Sequence, residues 1–162
     1  MDKAKLLDIS KFLISILLCQ FAGIIGSIFT MPAIPTWYSS LKKPSFAPPN
    51  SWFGPVWITL FALMAIAAFI VWHKGLSEPG VKTALIIFVI QLILNVLWSV
   101  AFFGLRSPIG GLMVIVSLWI AILATVIIFS GMSKIAGLLL VPYIVWVSFA
   151  TVLNFLLWRL NI

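Results

Sequence analysis

Five stretches of this chain carry no charged side chain: residues 12–41, 44–72, 83–105, 107–133 and 135–158. Each is longer than the ~20 residues an α-helix needs to cross a hydrocarbon core about 30 Å thick. Lipid offers no partner to a backbone N–H or C=O, so a spanning segment is either a helix or a strand of a closed barrel. Barrel strands alternate apolar and polar residues over about ten positions. Residues 84–94 and 112–129 are instead long, almost wholly apolar runs, and that selects helices. The composition agrees. Of 162 residues, 64% are hydrophobic and 8% charged, whereas a soluble domain carries roughly 25% charged residues.

The chain therefore reads as an all-α membrane protein, a single domain over residues 1–162 built as a bundle of five transmembrane helices. The helices are expected at about 10–30, 53–73, 82–104, 109–130 and 135–159. The connections 74–81, 105–108 and 131–134 are short. The first, 31–52, is long and contains Pro32, Pro35, Pro44, Pro48 and Pro49 beside Trp37, Tyr38 and Phe46. Prolines fix φ and reduce the entropy lost on ordering, so this loop is expected to be a stiff, amphipathic lid. Lys3, Lys5 and Lys11 resemble the basic region of a signal peptide. The apolar stretch after them is too long, however, and no A-x-A site ends it. The first helix is therefore expected to be retained.

The net charge is +7, and the charges sit between the spans, where they set topology and meet anionic headgroups. No soluble basic domain exists to bind nucleic acid. Lys3, Lys5, Lys11, Lys74, Lys82 and Lys134 fall on one side, and Lys42, Lys43, Arg106 and Arg159 on the other. The excess of Lys and Arg on cytoplasmic segments then predicts a cytoplasmic N-terminus and an exterior first loop. Cys19 is the only cysteine, so no intrachain disulfide can form.

The interiors of the spans carry no ionisable side chain beyond Lys11, Lys82 and Arg159 near helix ends. Intramembrane charges mark proton and ion pathways, so ion-coupled pumping is disfavoured. The sole histidine, His73, stands at a helix end beside Lys74. No metal-ligand cluster, phosphate-binding glycine loop or nucleophile–base pair is present, and no catalytic residue is assigned.

Uncharged polar residues do recur at helical spacing. Gln91, Asn95 and Ser99 lie at i, i+4 and i+8 and share one helix face. A bare amide in hydrocarbon is costly, so that face should point inward. It would serve either interhelical hydrogen bonding or a ligand's polar group. In the last helix Tyr143, Trp146, Ala150 and Asn154 fall within about 80° of one another. The small Ala150 between large rings leaves either a hollow, with Ala150 as its floor, or a close helix contact. Gly23 and Ser27, like Ser117, Ala121 and Thr125, repeat every four residues and read as close helix packing. Of eight tryptophans, Trp57, Trp98, Trp119 and Trp146 lie deep in the spans, where an indole needs a partner.

WYSSLKKPSFAPP (37–49), GPVW (54–57), VWHKG (71–75), QLILNVLWSVAFFG (91–104) and VPYIVWVSFATVLNFLLWRLN (141–161) together resemble the tryptophan-rich sensory protein/translocator protein family, also called the peripheral-type benzodiazepine receptor family. The resemblance covers nearly the whole chain. It implies a membrane receptor or sensor that binds tetrapyrroles such as protoporphyrin IX or haem, within a bundle closed by the first loop. By position it places ligand contacts at Trp57, Asn95, Trp146 and Ala150, with Gln91 and Trp37 beside them. Tyr143 joins the set through the last-helix stripe. It further implies homodimers. Porphyrin transport and light-dependent porphyrin breakdown remain as alternative activities. The chain departs from the sterol-binding members at Phe155, where they carry Tyr, which counts against a sterol ligand. It also has Phe46 where a Trp is frequent.

Overall fold

The computed structural model describes residues 3–162; the first two residues of the expected domain lie outside the described ones. It contains α1 (Lys3–Ala33), α2 (Phe53–His73), α3 (Val81–Ser99), α4 (Pro108–Met132), α5 (Lys134–Leu139) and α6 (Val141–Leu160). Five segments are long and apolar enough to cross a membrane: Lys3–Tyr38, Asn50–His73, Val81–Gly104, Pro108–Met132 and Lys134–Leu160. The fifth span is the short α5 followed by α6.

Several helix ends differ from the sequence expectation; α1 begins at Lys3 where a start near residue 10 was expected. The first helix was expected to stop near residue 30, yet α1 runs to Ala33 and passes into a π turn, Ile34–Tyr38. Pro35 has no N–H to give, and the wider turn absorbs it. The hydroxyls of Thr36 and Ser39 donate to the carbonyls of Pro32 and Pro35, at 2.8 and 3.0 Å. The irregular part of the first loop thus shrinks to little more than residues 41–49. The fifth span, expected as one helix, breaks at Leu140 because Pro142 sits in the first turn of α6 and cannot donate backward. Elsewhere the ends follow local chemistry. Ser107 caps α4 by accepting from the Gly110 N–H, and Ser133 caps α5 by accepting from the Ala136 N–H. Gly75 and Gly80 supply the positive φ values of the α2–α3 turn, 103° and 84°, where a side chain would be strained.

The helices pack in a ring. α1 lies between α2 and α3, α4 packs on α3 and on both α5 and α6, and α5 returns to α2. Close approach depends on small residues. A methyl group on Gly23 would come within 2.8 Å of the Phe61 ring, and one on Gly26 within 3.1 Å of the Ser99 hydroxyl. The first loop crosses the end of the bundle and docks on α6. The Asn161 amide brackets Lys42, accepting from its N–H at 2.9 Å and donating to its carbonyl at 3.0 Å. The Phe46 ring stands 6.0 Å from that of Phe149. The Lys43 ammonium lies 4.8 Å from the centre of the Tyr38 ring.

Candidate functional site: a lateral aromatic cavity

At the loop-covered end, a cavity of about 400 Å³ opens between α1, α2 and α3. Its size falls within the ~300–1,000 Å³ of small-molecule sites. The α1 wall is small and polar: Gly23, Gly26, Ser27 and Thr30. The opposite walls are aromatic: Phe53, Trp57 and Phe61 from α2, Trp98 from α3 and Phe103 from the π turn Val100–Gly104 that continues it. Ile24, Met31 and Ile58 form part of the lining and are 57%, 69% and 62% exposed. They face the surrounding lipid, so the cavity opens sideways between α1 and α2.

One interhelical network holds the polar side. Asn95 and Gln91 are buried on α3, as their spacing requires. Asn95 Nδ2 donates to the Tyr143 hydroxyl at 2.9 Å, and that hydroxyl donates to Gln91 Oε1 at 2.8 Å. Gln91 Nε2 makes only a long contact, 3.9 Å, with the Met64 sulfur. Asn95 borders the cavity. Tyr143 stands behind it, its ring 6.4 Å from that of Trp57 at 70°. With its amide nitrogen bonded to Tyr143, Asn95 keeps Oδ1 as an acceptor without a protein donor among the described residues. A second network fixes Trp98, whose indole N–H donates to Asn154 Oδ1 at 3.1 Å while Asn154 Nδ2 donates to the Pro108 carbonyl at 2.7 Å. Trp119 donates to Ser148 at 2.7 Å. The Trp57 indole N–H has no protein partner among the described residues. The cavity therefore presents a free donor and a free acceptor on a largely aromatic wall. Nearby, Tyr38 is 1% exposed and packs on Phe53 and Phe103. Its hydroxyl is the one fully buried side-chain polar atom without a partner among the described residues.

Of the seven residues singled out in the sequence, the structure gathers four here. Trp57 and Asn95 line the cavity, with Gln91 and Tyr143 directly behind. Trp37 packs beside it on Phe102, with ring centres 5.4 Å apart. Trp146 and Ala150 do not border this cavity. Both are partly buried against the core, and the Trp146 ring lies 5.6 Å from that of Phe149, which Phe46 also meets. The hollow expected above Ala150 is thus not part of it. Residues that sequence reasoning did not assign to a site supply much of the wall: Gly26, Thr30, Phe53, Phe61, Trp98 and Phe103. Gly23 and Ser27 were read as packing residues. Gly23 does let the Phe61 ring approach, and both also border the cavity.

The TspO/MBR family profile matches residues 15–159. The chain is 46% identical over 144 residues to the tryptophan-rich protein TspO of Chlorobaculum tepidum, covering 89% of this chain and 91% of that one. It is 37% identical over 139 residues to the human translocator protein, covering 85% and 82%. With the tryptophan-rich sensory protein of Cereibacter sphaeroides it shares 34% identity over 125 residues, 77% of each chain. Near end-to-end coverage together with five apolar helices makes this chain an integral, multi-pass membrane protein that belongs to the TspO/MBR family.

Proposed function

We propose that this protein is a membrane receptor or sensor whose lateral cavity binds a flat, mostly apolar tetrapyrrole, metal-free protoporphyrin IX above all. The observation that carries the reading is an aromatic cavity bordered by Trp57 and Asn95, whose indole N–H and amide oxygen have no protein partner among the described residues. Trp57, Phe61 and Trp98 offer ring faces for stacking. Asn95 Oδ1 can accept from a pyrrole N–H, and Trp57 can donate to a peripheral polar group. Because the cavity opens toward lipid, a lipophilic ligand can enter from the bilayer and need not be enclosed completely. The lining contains no histidine, cysteine or tyrosine, and His73 is bonded to Asp8 at 3.0 Å, near the opposite end of the bundle. The one haem-ligating side chain in the lining is the Met31 thioether, which in cytochromes binds iron alongside a histidine, so this donor set favours the free porphyrin over haem. The names of the translocator and sensory relatives fit ligand recognition at the membrane, and the loop docked on α6 is suited to act as the lid.

Titration of the purified protein with protoporphyrin IX tests this. Saturable quenching of tryptophan fluorescence is expected at micromolar concentration or below, which corresponds to roughly −8 kcal/mol or better. Trp57→Phe should remove part of the quench, and Asn95→Leu should weaken binding about tenfold, or 1.4 kcal/mol. Quenching that stays linear and matches an unrelated membrane protein would overturn the proposal.

A further inference from the structure

A second concavity lies on the other flank of α1. A groove of about 440 Å³ runs between α1 and α3 and is closed on a third side by Ala68, Trp72 and Leu76. Its only wall shared with the aromatic cavity is Ala22. Ser15 is its one hydroxyl residue, and that hydroxyl is turned back onto the Lys11 carbonyl at 2.9 Å, leaving the groove apolar throughout.

Its length and its rim identify the occupant. The lining runs from Ser15 to Ile25 on α1 and from Leu85 to Val96 on α3. Each stretch is about 15 Å at 1.5 Å per residue, half of a ~30 Å hydrocarbon core. The groove therefore has the depth of a single leaflet. Both wall stripes begin with a lysine one turn further out: Lys11 stands four residues before Ser15, and Lys82 three before Leu85. Lys74 lies between Trp72 and Leu76, at the same end. Among the described residues none of the three lysines is ion-paired: the Asp8 carboxylate is held by His73, and Glu78, in the turn between Lys74 and Lys82, offsets only part of their charge.

We propose that this groove is a binding site for one anionic phospholipid, with an acyl chain between α1 and α3 and the phosphate held by Lys11, Lys74 and Lys82. Ordinary annular lipid touches a convex helix surface. Here three helices surround the chain, and a rim of net positive charge selects the headgroup. Three lysines near one anionic headgroup amount to a preference of about tenfold or more over a zwitterionic lipid. The site is separate from the aromatic cavity and does not depend on its ligand.

The test uses full-length protein in neutral detergent, given phosphatidylglycerol or phosphatidylcholine with the same acyl chains. Native mass spectrometry counts retained lipid, and a thermal melt reads stabilisation. One phosphatidylglycerol should be retained, with about a tenfold preference, and glycerol phosphate without chains should not stabilise. The Lys11→Gln/Lys82→Gln variant should lower the preference to about twofold or less while phosphatidylcholine retention stays unchanged. Val89→Trp, at a wall position that is 45% exposed, should fill the groove and abolish retention of both lipids. Ile93→Trp is its substitute should that variant not fold. Protoporphyrin titration should be unchanged in all variants. The proposal is overturned by a headgroup preference that survives the double lysine variant, by retention that survives the tryptophan variant, or by equal stabilisation with glycerol phosphate. Loss of a dimer in Val89→Trp also overturns it, by assigning the groove to a second copy of the chain.

Discussion

A single hydroxyl, that of Tyr143, ties α6 to α3 at the back of the cavity. It accepts from Asn95 and donates to Gln91, so all three side chains depend on it. Tyr143→Phe keeps the ring and its packing on Trp57 but strands two buried amide groups. Unsatisfied buried polar groups cost about 1–3 kcal/mol, against roughly 0.6 kcal/mol for an average interhelical bond in lipid. The variant should melt several degrees lower in detergent and bind protoporphyrin more weakly, because Asn95 loses what orients it. An unchanged melt would mean the amides find other partners. The inward direction of Gln91 and Asn95 was legible from their four-residue spacing. The identity of their partner was not, since a helical wheel fixes a side chain's angle about its own axis and says nothing of the neighbour it meets. The same limit explains Trp146 and Ala150. Their shared stripe with Tyr143 and Asn154 is real, but only its two ends reach the cavity's rear wall, Asn154 by holding Trp98, while Trp146 between them turns to Phe149.

At the scale of elements, apolar length made all five spans legible, and proline chemistry governed the misjudged end of the first and the break in the fifth. Pro32 and Pro35 read as loop, yet a membrane helix tolerates proline: α1 carries Pro32, and the π turn that follows carries Pro35 before the chain turns away. The shortened loop is held at one point by Asn161, whose side chain bonds Lys42 twice and the Leu157 carbonyl once. Nothing in the local sequence announces a contact spanning 119 positions. All three bonds are exposed or only part-buried, so each contributes about 0.5–1.5 kcal/mol at most. Asn161→Ala should therefore release the loop and leave the bundle standing. Trypsin should cut after Lys42 about tenfold faster in the variant, the factor expected for ~1.4 kcal/mol of local opening, with a melting temperature close to that of the parent. Equal cleavage rates would show that Phe46 on Phe149, not Asn161, holds the loop.

Across the whole molecule, the alternation of five spans sorts the charges into two groups. Lys42, Lys43, Arg106 and Arg159 lie at the end where the first loop meets Asn161, and six lysines lie at the other. The described carboxylates, Asp8 and Glu78, fall with the six, but acidic residues weigh little in topology. A margin of six to four predicts a cytoplasmic N-terminus and α2–α3 turn, with the first loop and the mouth of the cavity outside. Cys19 is fully buried, and Cys19→Ser removes it as a background. In that background, Ser39→Cys and Ser77→Cys put one thiol at each end, both at exposed positions. An impermeant maleimide applied to intact cells should label the thiol at position 39 at once and the thiol at position 77 only after lysis. The reverse pattern would invert the molecule and put the cavity mouth in the cytoplasm. Labelling of both in intact cells would contradict α2 as a membrane span, because the first loop and the α2–α3 turn are separated by α2 alone.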